Sequence, residues 1–240
     1  MILRDEDLDR DRCRPEYAQA MLEDLHWFGL RWQEGPDCGG PHAPYRQSER
    51  LPRYLEVWKK LAEQGCIYPS PQSRKDVQQA LSAPHEEDSE PIFPIEFRPP
   101  AGIEQDATDP AGVNWRFRVP DGEEIVFLDG HYGEVRRVCG VDFGDFLVWR
   151  KDGFPSYELA VITDDHEMEI TEVVRGEDLL TSTARQLLLY RALGWQPPAF
   201  FHCPLVRDAH GVRLAKRNQA LSLRTLRDQG RTPEELRAHL

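Results

Sequence analysis

The sequence predicts an α/β fold, a core of mixed strands and helices that carries an inserted subdomain. Two observations lead there. Short strand-like runs are interleaved with stretches whose apolar residues repeat at helical spacing, the pattern of an α/β core. Between them, residues 83–113 change character. Ala83-Pro84-His85-Glu86-Glu87-Asp88 and the prolines from Pro91 to Pro110 have little core-forming potential, which marks an irregular insertion.

In chain order, Ile2 and Leu3 set two apolar residues before the acids Asp5, Glu6 and Asp7, as at the end of an apolar strand. Pro15 sits where a first helical position would be and Gly29 just beyond an apolar-periodic run with Tyr17, Met21, Leu22 and Leu25, which predicts a helix of about four turns. A second helix begins near Ser48, with Tyr54, Val57, Trp58, Leu61 and Ala62 on one face and Gly65 closing it. Ser73 and Asp76 suggest a capping box for a short helix over 74–81. Strands are predicted over 115–119, 125–128 and 143–149. The Lys151-Asp152-Gly153 turn leads to a further strand over 157–163, and Asp164-Asp165 turns into another over 169–174. Thr183 and Gln186 read as a capping box for a helix over 185–193 that Gly194 ends, and Ser222 and Thr232-Pro233 start two short helices.

Composition narrows the class. The chain has 240 residues, 40% hydrophobic and 30% charged, which suits one or two globular domains. No apolar run approaches the ~20 residues of a membrane span. Five scattered cysteines predict reduced thiols in a cytoplasmic protein, and the acidic N-terminus is no secretory signal. A net charge of -12 argues against bulk attraction to nucleic acid. A local basic run (Arg207, Arg213, Lys216, Arg217, Arg224, Arg227, Arg231, Arg237) is either a solvated helical surface or a nucleic-acid face.

Three places offer chemistry. Acids at a strand end, as in Leu3-Arg4-Asp5-Glu6-Asp7-Leu8-Asp9, can hold a substrate ammonium or simply form a solvated turn. Arg175, on a strand-to-helix loop before Gly176, is placed either to grip a carboxylate bidentately or to pair with Asp178 or Glu172. The basic loop after the Asp208-Ala209-His210-Gly211 turn, with Lys216, can lean over a triphosphate. His166-Glu167-Met168-Glu169 does not extend to a zinc helix and reads as a surface turn in strand-like sequence.

Taken together, these stretches resemble the catalytic domain of class I glutamyl-tRNA synthetases, and most of all their short relatives, the glutamyl-queuosine tRNA(Asp) synthetases. Leu3-Arg4-Asp5-Glu6-Asp7-Leu8-Asp9 is similar to the family's L-R-I-E-D-x-D stretch, and Gly40-Pro41 through Tyr45-Arg46-Gln47-Ser48 to its G-P-Y-x-Q-S segment. Tyr157-Glu158-Leu159-Ala160-Val161, Val174-Arg175-Gly176-Glu177-Asp178-Leu179-Leu180, Ser182-Thr183-Ala184-Arg185-Gln186 and the KMSKS-type loop at 213–217 follow in the family's order.

The resemblance implies a Rossmann-like nucleotide-binding domain with an inserted α+β acceptor-binding-like subdomain. It divides the chain into a partial catalytic core over 1–65, the insertion over 66–142 and the remaining core over 143–240. The implied activity is an ATP-dependent ligase reaction in which glutamate is activated and passed to a tRNA, with tRNA-Asp the expected acceptor. Glu6, Tyr157 and Arg175 would hold glutamate, and Lys216 would contact ATP, which Mg²⁺ accompanies. A cytoplasmic monomer, with no membrane partner, is expected. Where the family has a zinc knuckle, within 66–98, this chain has Ser70, Gln72, Phe93 and Phe97, so no structural zinc is expected. The loop carries Arg213 and Ala215 where lysine and serine are usual. The family's opening strand and HIGH-type motif find no counterpart ahead of Leu3, which predicts weak activation of glutamate by the chain as given. It also keeps open a noncatalytic tRNA- or partner-binding protein on the same fold.

Overall fold

The computed structural model describes residues 1–9, 12–72, 76–77, 92–100, 109–205 and 222–238. Contacts divide the chain into two units, Met1–Arg50 with Leu205–Leu240, and Leu51–Pro204.

In the first unit the opening residues lie beside a later segment through isolated parallel bridges, Ile2 to Glu34 and Asp5 to Arg46, rather than in a regular strand. Helix α1 (Pro15–Phe28) starts at proline and ends at Gly29, whose φ of 95° is the left-handed conformation that glycine adopts without a Cβ penalty. Beyond it, Gly40 has φ 144°, and a Cβ there would overlap the Tyr45 hydroxyl and the Glu34 side chain. The short helices α5 (Leu223–Asp228) and α6 (Pro233–Arg237) begin at the Ser222 cap and at a complete Thr232–Glu235 capping box. The described part of the basic run is occupied within the chain. Arg224 pairs with Glu23 at 2.9 Å and Asp24 at 3.1 Å, Arg231 pairs with Glu235, and Arg227 and Arg237 lie over Trp27 and Phe28.

The second unit carries the strands. Helix α2 (Leu51–Glu63), entered by a 3-10 turn at Gln47–Glu49, buries Tyr54, Val57, Trp58 and Leu61, the face read from the sequence. Strands β1 (Ile67–Ser70), β2 (Asn114–Phe117) and β5 (Phe146–Trp149) form an antiparallel sheet in the order β1-β2-β5. Strands β3 (Glu124–Asp129), β4 (Gly133–Val138), β6 (Glu172–Gly176) and β7 (Ala199–Cys203) form a mixed sheet in the order β4-β3-β7-β6. β3 and β4 make an antiparallel hairpin, while β3 with β7 and β6 with β7 are parallel. Parallel neighbours need a long crossover, and α4 (Leu180–Leu193) supplies it between β6 and β7.

Two elements differ from the sequence expectation. Residues 157–163 are not a strand. Helix α3 (Tyr157–Glu167) replaces it, and Asp164 and Asp165, expected in a turn, are buried within it. The run Leu159, Ala160, Val161, Ile162 and Thr163 is buried on all sides, so no helical period is visible, and its β-branched members read as strand. The local signal was Ser156, whose side chain caps the helix at the Leu159 N–H, 3.4 Å away. His166 and Glu167 accordingly close a helix, and a turn follows. The second difference is α4, which starts at Leu180, so Thr183 sits inside it and caps nothing. The sequence reading also missed β1, β4 and β7. Of the short helix expected over 74–81, only the helical Asp76 and Val77 are described.

Around the expected zinc positions, Phe93 packs with Tyr68, Val77 and Phe97, its ring 5.9 Å from that of Phe97, and Arg116 lies 4.1 Å over it. Ser70 and Gln72 hydrogen-bond to each other at 2.9 Å. Buried Asp145 adds a polar tie, accepting hydrogen bonds from Arg98 at 2.7 Å, the Val119 N–H at 2.8 Å and the Tyr68 hydroxyl. Two phenyl rings and a serine offer no thiolate or imidazole to zinc. Protein purified without added metal should therefore contain no stoichiometric zinc by elemental analysis, and one equivalent per chain would contradict this.

Candidate functional site

In the second unit, three parallel strands end with polar residues on one face. Asp129 is the last residue of β3, while Arg175 and His202 are register partners near the ends of β6 and β7. Ligands of α/β sheets bind at the carboxyl ends of strands, so this is where a site is expected. Arg175 is held at several points. Its Nε donates to His202 Nε2 (3.2 Å), Nη2 to Thr183 Oγ1 (2.6 Å) and Gln186 Oε1 (2.8 Å), and Nη1 to the Tyr157 hydroxyl (3.4 Å). The guanidinium carbon also lies 5.4 Å from the Phe200 ring centroid. Neither Asp178 nor Glu172 is among these partners. The bidentate fork read from the sequence is modified, because the Nη2 arm is already engaged. Among the described residues the Nη1 arm retains one N–H without an acceptor, beside the 38% exposed Tyr157.

The sequence makes this geometry locally. Thr183 and Gln186, three apart on α4, face the same side of the helix, and Tyr157 occupies the first turn of α3. Gln186 Nε2 donates to Glu158 Oε2 at 2.8 Å, which orients its carbonyl toward Arg175. Burial pushes the Glu158 carboxyl up, against Arg185, Ser182, Gln186 and Arg175, which pull it down. Behind Arg175, His202 Nδ1 lies 2.6 Å from Asp129 Oδ2, and both side chains are fully buried.

Burial alone would raise the Asp129 carboxyl. Hydrogen bonds from His202 and from the N–H groups of Tyr132, His131 and His202 outweigh burial and hold it at about 2. The folded value lies below the ordinary 3.8, so this carboxylate stabilises the fold fully above about pH 4, and its contribution is lost as pH falls toward 2. Denaturant midpoints measured across that window should fall in the wild type, and the fall should be shallower in Asp129→Asn. Parallel curves would contradict the assignment.

In the first unit, the two stretches that carry Glu6 and Arg46 run side by side, with Asp5 N–H to Tyr45 O at 2.9 Å and Gln47 N–H to Asp5 O at 3.0 Å. Asp7 accepts from the Ser48 N–H at 2.8 Å and from its hydroxyl at 2.5 Å. Burial, then Asp7, raise the Asp5 carboxyl despite the nearby Arg46. Glu6 is exposed, pairs with Arg4 at 3.1 Å and lines a cleft of about 570 Å³ with Asp7, Arg12, Arg14 and Arg46. Lys216 and the rest of its loop lie outside the described residues.

The family model for class I tRNA synthetases (E and Q), catalytic domain, matches residues 1–240. The chain belongs to that family. Two synthetase relatives named glutamyl-Q tRNA(Asp) synthetase, from Nitratidesulfovibrio vulgaris and Symbiobacterium thermophilum, are 45% and 47% identical to it. They match 96% and 100% of this chain and 71% and 74% of their own lengths. A glutamate–tRNA ligase of Sulfurihydrogenibium sp. is 39% identical over 95% of the chain and 48% of its own length. Among solved synthetases, the glutamate–tRNA synthetase of Elizabethkingia anophelis matches at TM-score 0.75 and 31% identity, covering 90% of this chain and 46% of that one. The chain thus spans about half the length of the glutamate–tRNA ligases it matches. The fold is that of a Rossmann-like class I synthetase catalytic domain, and the crossover from β6 through α4 to β7 is its parallel βαβ unit.

For this synthetase domain, sequence reading found Tyr157 and Arg175, which the structure brings together. It missed Asp129, Glu158 and His202, and it misread Thr183 and Gln186 as a cap. The signal for Asp129 and His202 was position, since each ends an apolar strand-like run.

Proposed function

We propose that the protein is an ATP-dependent ligase that activates glutamate and transfers it to tRNA-Asp carrying queuosine. The observation that carries this reading is the match to two glutamyl-Q tRNA(Asp) synthetases at 45% and 47% identity, over most of their length as well as its own. Support at the site comes from the immobilised Arg175 beside Tyr157, a cationic donor pair suited to a carboxylate.

In the reaction, the α-carboxylate of glutamate attacks the α-phosphorus of ATP. The bond to the bridging oxygen breaks, pyrophosphate leaves, and a glutamyl-adenylate results. A tRNA hydroxyl then attacks the activated carbonyl, giving the ester and AMP. A carboxylate neutralised by a guanidinium is a poorer nucleophile, so Arg175 and Tyr157 take the side-chain carboxylate and leave the α-carboxylate to react. Glu6 takes the ammonium. Lys216 contacts the triphosphate and stabilises charge that develops on the leaving group, while Mg²⁺ comes with the ATP. With no covalent enzyme intermediate, catalysis rests on positioning and charge. Residues 66–142 are assigned to the acceptor side as an insertion. The protein works as a monomer in the cytoplasm. Among the described residues no helix is long and apolar enough to cross a membrane.

The test is transfer of labelled glutamate by the full-length protein to tRNA from cells that make queuosine and from cells that do not. Label is expected in the tRNA-Asp fraction of the first sample only. Label in tRNA-Glu from both would place the activity with the glutamate–tRNA ligases instead.

A further inference from the structure

We propose that Asp129 and His202 are positioning residues for substrate recognition: Asp129 fixes the His202 proton on Nδ1, and the bare Nε2 then holds the Arg175 guanidinium. This deepens the glutamate-binding role given to Arg175 above and rests on that reading. The geometry decides the tautomer. An arginine Nε always carries hydrogen and cannot accept, so His202 Nε2, 3.2 Å away, accepts from it, while the Thr183 hydroxyl, 3.1 Å from the same nitrogen, can turn to donate to it or to the Leu179 carbonyl. The imidazole proton therefore sits on Nδ1, 2.6 Å from Asp129 Oδ2.

Asp129 is held in turn by the protein backbone. Its Oδ1 accepts from the His131 and Tyr132 N–H groups at 3.0 and 2.9 Å, and its Oδ2 from the His202 N–H at 3.1 Å. The chain of contacts runs from the His131 and Tyr132 N–H groups through a carboxylate and an imidazole to the guanidinium, with Thr183 and Gln186 gripping the other arm. An arginine side chain has many rotamers, and each hydrogen bond to a fixed partner removes some of that freedom before substrate arrives. Neither Asp129 nor His202 is assigned any contact with substrate.

Asp129→Asn separates this role from a general structural one. With Oδ1 kept on the two turn N–H groups, the new amide nitrogen faces both His202 Nδ1 and the His202 N–H that Oδ2 had bound. The imidazole then carries its proton on Nε2, where it can be accepted by Thr183 Oγ1, 3.1 Å away, and Nε2 no longer accepts from Arg175. Two readouts follow. In ¹⁵N spectra of ring-labelled full-length protein near neutral pH, wild-type His202 should be protonated on Nδ1 alone and the variant on Nε2. In glutamate-dependent ATP–pyrophosphate exchange, the variant should raise the glutamate KM roughly 10- to 100-fold, the range for one charge-assisted hydrogen bond, and leave the ATP KM within about twofold. His202→Gln, which still offers Arg175 a carbonyl, should recover most of the glutamate KM, and adding Asp129→Asn to it should then change little.

A wild-type imidazole protonated on Nε2, or on both nitrogens, would overturn the proposal whatever the enzyme's substrate is. So would a reversed tautomer with an unchanged glutamate KM, or an Asp129→Asn effect that persists in full in His202→Gln. Wild-type protein that activates no glutamate would refute the glutamate reading alone, because the spectra test the relay without it.

Discussion

Arg175→Ala should lower kcat/KM for glutamate by between roughly thirtyfold and several-thousandfold, equivalent to about 2–5 kcal/mol of transition-state binding. The size follows from what is lost together. In the proposed site the substrate carboxylate loses its cation, and the buried acceptors His202 Nε2 and Gln186 Oε1 lose the donor that satisfies them. Arg175→Lys should recover little, because a single ammonium cannot reach His202, Thr183, Gln186 and Tyr157 as the planar group does. The contrast is Lys216→Ala, which should slow adenylate formation without changing the preference for glutamate. The measurement is ATP–pyrophosphate exchange with glutamate varied, on variants whose folding has been checked by near-UV circular dichroism. Glutamate kinetics within twofold of wild type in Arg175→Ala would move the substrate site elsewhere.

The second large effect concerns the fold. Trp58 on α2 is fully buried, meets Trp115 edge-on at 4.8 Å between ring centroids and lies 6.4 Å from Trp149. Trp58→Ala should destabilise the protein by about 3–5 kcal/mol, through lost transfer energy and the cavity left behind. Trp58→Phe should cost far less, since it keeps an aromatic ring and removes an indole N–H that is buried without an acceptor among the described residues. Urea denaturation gives both numbers. A Trp58→Phe loss as large as that of Trp58→Ala would mean the indole N–H has a partner the geometry does not show.

What could be read from the sequence follows from how each element is solvated. Helices α1 and α2 each have a wet face, so their apolar residues repeat at a visible period, and Gly29 and Gly65 mark their ends. Helix α3 has almost no wet face, and with Val161, Ile162 and Thr163 at its centre it read as a strand. The site divides the same way. Arg175 stands out in the sequence as a cation on a strand-to-helix loop, but its spacing alone leaves open a structural pair with Asp178 or Glu172. The Asp129–His202 pair does not stand out, because 73 positions separate its members and only the pairing of β3 with β7 brings them together. Thr183 and Gln186 have the spacing of a capping box, yet the same three-residue spacing points both side chains at one guanidinium.

On the function proposed above, this fold selects glutamate and joins it to AMP. The most direct test is ATP–pyrophosphate exchange by the full-length protein with glutamate, glutamine and aspartate each supplied in turn. Exchange should depend on glutamate, with glutamine and aspartate at background, because in the proposed site glutamine lacks the charge for Arg175 and aspartate is one methylene too short to reach it. Exchange supported equally by glutamine, or by no amino acid at all, would contradict the account.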